Sequence, residues 1–85
     1  MSHHHDIREQ IEPSQEQFRE KAIKLLKHWI QHNSEHARSY QKWADEFRSH
    51  DLVEAAAELE TAAEFTQRIN AAFNQAAGDI QSKGK

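Results

Sequence analysis

The sequence predicts an all-α fold: an antiparallel two-helix hairpin of the coiled-coil kind, pairing with a second copy into a four-helix assembly. Three observations predict it. Apolar residues recur at helical rather than alternating spacing over most of the chain. Two glycines and one proline in 85 residues leave little to interrupt a helix. One short polar break, Ser49-His50-Asp51, divides the pattern, and so short a connection folds the two halves back as antiparallel neighbours.

Residues 1–12 form a histidine-containing segment that opens Met1-Ser2-His3-His4-His5. A free amine with a histidine third in the chain binds Cu²⁺ or Ni²⁺ in a square plane. His3 holds that position if Met1 is retained and His4 if it is removed, so both are secondary metal candidates. Ile7 and Ile11 suit a short helical turn. Pro13 marks the boundary of the hairpin domain, residues 13–80, because proline fits the first helical position and lacks the N–H that an interior position needs. Ser14 with Gln17 three residues on reads as a capping box.

The first helix is expected over residues 13–48, about 50 Å at ~1.5 Å per residue. Its apolar positions include Phe18, Leu25, Leu26, Trp29, Ile30, Tyr40, Trp43, Ala44 and Phe47. The tryptophans, fourteen apart, share one stripe and are read as core. Asp51 with Glu54 is a second capping signal. The second helix is expected over 52–77, with Leu52, Leu59, Thr66, Phe73 and Ile80 seven apart and Ala55, Ala62, Ile69 and Ala76 as the alternate seam. Gly78 fits the residue that ends a helix, leaving a polar tail at 81–85. These lengths differ by about ten residues, so residues 13–22 overhang and expose Phe18, Ala22 and Ile23. An apolar overhang asks for a partner, and a twofold homodimer supplies one.

Composition excludes several classes. Net charge is −3 with scattered Lys and Arg, so nucleic acid is not an expected partner. Cysteine is absent, which removes disulfides and thiolate chemistry and fits a reducing cytoplasm. No apolar run approaches the ~18 residues that span a bilayer. No enzyme is expected. The Glu-x-x-His pairs of di-iron bundles, the His-Glu-x-x-His zinc pattern, Gly-rich phosphate loops and nucleophile elbows are all missing.

The chemistry concentrates at His28-Trp29-Ile30-Gln31-His32-Asn33-Ser34-Glu35-His36. Three histidines at a spacing of four lie along one helix face. With His28 set at 0° and ~100° per residue, His32 falls near 40° and His36 near 80°. The apolar stripe spans about 60° to 160° on that wheel, so His36 is expected in the core face, His32 at its edge and His28 outside. Residues eight apart stand ~12 Å apart along the axis, too far for one ion with nitrogens at ~2.0–2.2 Å. An adjacent pair chelates, and the mate in a twofold dimer completes the shell with water or Glu35. Such a nitrogen and oxygen set suits octahedral Ni²⁺ or Co²⁺, or tetrahedral Zn²⁺. Affinity should fall as pH drops through about 6.5, where imidazole protonates. Trp29 is expected to shield the row, and Asn33 and Glu35 to orient its rings. Among the acidic residues Glu54, Glu58, Glu60 and Glu64, read as a solvated face, Glu64 is a secondary ligand candidate. The competing reading is a helical protein–protein interaction module with structural or pH-sensing histidines.

The motif His28-Trp29-x-x-His32-x-x-x-His36 resembles that of the CooJ family, nickel-binding accessory proteins of carbon monoxide dehydrogenase maturation. The similarity covers roughly residues 20–80, with Asn33, Glu35, Ala37, Tyr40, Trp43 and Ala44 following the motif. The resemblance implies a coiled-coil dimer with an interfacial nickel site, His28, His32 and His36 as ligands, and a metallochaperone or nickel store as function. Zn²⁺, Co²⁺ or Cu²⁺ would compete in vitro. It implies as partners a nickel enzyme such as carbon monoxide dehydrogenase, or its maturation factors. The residues from Ile80 to Lys85 contain no histidine, unlike the long histidine-rich tail of better-known members. A single site per dimer therefore fits better than high-capacity storage.

Overall fold

The computed structural model describes residues 14–83. Two helices, α1 (Gln15–Ser49) and α2 (Val53–Lys83), pack against each other as a hairpin. Pro13 and the turn suggested by Ile7 and Ile11 lie outside the described residues.

Ser14 caps α1 as its spacing predicts. The Gln17 N–H donates to Ser14 Oγ at 3.0 Å, and the Ser14 N–H donates to Gln17 Oε1 at 3.1 Å. Two otherwise orphaned donors are thereby satisfied.

The turn differs from expectation. Asp51 does not cap α2; it ends α1 in the left-handed region, at φ 66°. The Leu52 N–H reaches back to the Phe47 carbonyl at 2.9 Å and the Asp51 N–H to the Arg48 carbonyl at 3.1 Å. This pair of bonds closes the last turn in the Schellman pattern, usually built on glycine; aspartate is among the few residues that tolerate the geometry. The first backbone bond of α2 then runs from the Ala56 N–H to the Leu52 carbonyl, 2.9 Å.

Gly78 does not end α2 either. The helix continues to Lys83, so residues 81–83 are helical rather than a tail. A mid-helix glycine costs only about 1 kcal/mol relative to alanine, and half-buried Ile80 lies beyond it. The helices therefore span 35 and 31 residues, and the expected ten-residue overhang shrinks. Ala22 and Ile23 are half-buried, and of the three residues expected to be exposed only Phe18 is.

The seam is made of small residues. On α1 the inward positions are Ile23, Leu26, Ile30, Asn33, Ala37, Tyr40, Ala44 and Phe47, alternately three and four apart. On α2 they are Ala56, Leu59, Ala63, Thr66, Asn70, Phe73, Ala77 and Ile80. Five of the six buried hydrophobic residues are alanines, Leu26 being the sixth. Leu59, Thr66, Phe73 and Ile80 are as expected, but Leu52 precedes α2 and is exposed, and the alternate line is Ala56, Ala63, Asn70 and Ala77, one residue along from the predicted one. Both lines keep a seven-residue repeat, so periodicity cannot separate them. Interhelical hydrogen bonding favours the observed one. Asn70 Nδ2 donates to the Ile30 carbonyl (3.2 Å) and to Ser34 Oγ (3.1 Å), and Asn70 Oδ1 accepts from Asn33 Nδ2 (3.1 Å). A buried amide so satisfied costs little, and it selects one register. Nearer the turn, Arg48 bridges to half-buried Glu60 at 3.0 Å, so Glu60 does not belong to a purely solvated face.

The tryptophans are not core. Trp29 is 42% exposed and Trp43 53% exposed. Ala37 and Ala44 take the seam because alanine lets two helix backbones approach closely, whereas indoles there would hold them apart.

Candidate metal centre

The histidine row lies in the middle of α1, where no glycine or proline disturbs the i, i+4 spacing. His28, His32 and His36 are all exposed. The expectation that His36 enters the core face is therefore corrected: the seam centres on Leu26, Ala37 and Ala44, and the row runs along its flank.

The three are not equivalent. The His32 and His36 rings meet edge to face with centroids 4.5 Å apart, and their Nε2 atoms are separated by 3.1 Å. His28 and His32 are roughly parallel, with centroids 6.3 Å apart. Tyr40 extends the row beyond His36 at 6.0 Å. Two nitrogens each ~2.05 Å from one ion lie about 3.1 Å apart when they subtend about 98°. That angle falls between octahedral and tetrahedral values. The His32–His36 pair thus has the nitrogen–nitrogen separation that a chelate would need. The same separation also suits a hydrogen bond between neutral imidazoles, one nitrogen donating and the other accepting.

Among the described residues no group of three or more His, Asp or Glu side chains is placed to hold one ion. Among the described residues the row brings together two nitrogens, His32 Nε2 and His36 Nε2. Glu35 is exposed and lines a shallow depression with His28, Gln31 and His32. Asn33 orients no histidine; its amide is engaged with Asn70 in the seam. Glu64 stands nine residues before Phe73, about half a turn round α2, on the side of that helix away from the Trp29–Phe73 contact (centroids 5.3 Å apart). His3 and His4 lie outside the described residues. His50 is the C-cap of α1.

What surrounds the row was missed in part. Leu25, Trp29, His32, His36 and Trp43 fall within about 60° of one another on the α1 wheel. All five are exposed. Trp29 packs on Phe73 of α2, beside exposed Ile69 and Phe65. The hairpin thus carries an apolar face outside its seam, with His32 and His36 set into it and His28 at its polar margin. The detectable signal was a surplus: the chain has more large apolar positions than a two-helix seam can bury.

Fold and site together define a class, a helical hairpin that presents a close histidine pair on an exposed apolar face. The chain belongs to the family described as "Domain of unknown function (DUF8180)", whose model matches residues 22–80, a span holding the whole row and nearly all of both helices' packed length. No curated protein and no solved structure matches the chain. Among the described residues no helix is long and apolar enough to cross a membrane.

Proposed function

We propose that this protein is a cytoplasmic nickel(II)-binding metallochaperone or nickel store, not an enzyme, acting as a homodimer of hairpins in a four-helix assembly. The observation that carries the reading is the 3.1 Å separation of His32 Nε2 and His36 Nε2 on an exposed apolar face. Two nitrogens from one chain and ligands from a second copy across that face complete a four- to six-coordinate shell, with water or Glu35 filling remaining positions. The choice of Ni²⁺ over Zn²⁺, Co²⁺ or Cu²⁺ rests on the resemblance to the CooJ family. So does the client, a nickel enzyme such as carbon monoxide dehydrogenase or its maturation factors.

The second reading, an interaction module with structural or pH-sensing histidines, is favoured by the same contact read as a neutral imidazole hydrogen bond. Calorimetry with Ni²⁺ at neutral pH separates the two. The metal reading expects saturable binding of less than one ion per chain, lost on His32→Ala and retained when residues 1–5 are deleted. Loss on the deletion with normal binding by His32→Ala would move the site to the amino terminus. Binding unaffected by either change, or none at all, leaves the interaction module. A monomer by sedimentation, with and without metal, would remove the shared site.

A further inference from the structure

At the open end of the hairpin, Gln17, Phe18, Lys21, Ala22 and Leu25 line an apolar groove of about 320 Å³. Phe18 is 58% and Leu25 47% exposed. A cavity of about 150 Å³ accommodates a benzene-sized group, so this groove has room for two branched aliphatic side chains. We propose that it is the docking site of the chain's own residues 6–12, which turn back at Pro13 and seat Ile7 and Ile11 antiparallel to the first turns of α1.

Three features select this occupant over a second copy. Ile7 and Ile11 are four apart, so a helical turn presents both on one face. Ile11 is three residues before Ser14 and Phe18 four residues after it, so the loop to be closed is short. A tethered segment also avoids the association cost that a separate chain would bear. Charge agrees as well: residues 6–12 carry Asp6, Glu9 and Glu12 against Arg8 alone, and the groove is edged by Lys21. The docking itself does not depend on the metal reading.

The absence of cysteine permits a direct test by engineered disulfides in the full chain, with metal chelated. Lys21 edges the groove, whereas Glu20, at almost the same height, lies about 100° round α1 from it. Arg8→Cys with Lys21→Cys should close an intrachain disulfide at least about tenfold faster than Arg8→Cys with Glu20→Cys. Adding Ile7→Asp and Ile11→Asp should abolish the difference. Equal rates in the two pairs, or a difference that survives the aspartates, would overturn the proposal. So would predominantly interchain crosslinks through residue 21 at low micromolar concentration, which would assign the groove to a second copy.

Discussion

His32 and His36 bring their Nε2 atoms to 3.1 Å on the exposed flank of α1, while His28, one turn before, stacks on His32 with its ring 6.3 Å away. The row is thus a close pair and a neighbour rather than three evenly spaced rings. His36→Ala should weaken Ni²⁺ binding at least about tenfold, the loss of one ligand being worth upwards of ~1.4 kcal/mol, and His28→Ala should weaken it less. On the proposed nickel reading, acidification should release the metal, because each bound imidazole must remain deprotonated. Isothermal titration of the two variants checks the ranking, and a His28→Ala defect as large as that of His36→Ala would contradict it.

Trp43 and Phe65 are both more than half exposed. A second copy covering this face would bury several large side chains, each contributing about 1.5–3 kcal/mol. The double variant Trp43→Ser, Phe65→Ser should shift the proposed dimer to monomers in sedimentation equilibrium while far-ultraviolet circular dichroism stays helical.

The amide of Asn70 is the centre of the interhelical polar contacts. Asn70→Ala removes three hydrogen bonds and leaves Asn33 to find water. At a net value of about 0.5–1.5 kcal/mol per bond, a cost of about 1.5–4.5 kcal/mol follows. Urea unfolding at fixed protein concentration measures it. An unchanged midpoint would mean that the register is held by the alanine seam alone.

Asp51 occupies a left-handed position, φ 66°, that glycine adopts without a steric penalty. Asp51→Gly should stabilise the hairpin by about 0.5–1 kcal/mol, and Asp51→Val should destabilise it, since a β-branched residue resists positive φ. Thermal melts of the two variants should move in opposite directions.

Gly78 lies inside α2, and a Cβ added there meets no atom within 4 Å. Gly78→Ala should therefore raise stability by about 0.5–1 kcal/mol through helix propensity. The same melts check it, and a loss of stability would indicate that this face of α2 is covered in the assembly.

Much of the architecture was legible in the residues. Helical spacing, the scarcity of glycine and proline, the Ser14–Gln17 box and the break at Ser49-His50-Asp51 lead directly to a two-helix hairpin. Those signals are local, and local geometry decides them. The ends of α2 were less legible, because an aspartate can cap one helix or close the one before it, and a glycine can end a helix or be tolerated within it. In both cases neighbouring contacts, the Leu52 N–H to the Phe47 carbonyl and the packing of Ile80, decide the outcome.

By itself the sequence determined that His28, His32 and His36 share one flank of a long helix, since 3.6 residues per turn leaves no other arrangement. Only the tertiary structure decided which way that flank turns. Two apolar stripes overlap on α1, one carrying Leu26, Ala37 and Ala44, the other Leu25, Trp29 and Trp43. Close approach of the helix backbones, together with a hydrogen-bonded Asn70, gives the seam to the alanines. The tryptophans are thereby turned outward, and the histidine pair with them.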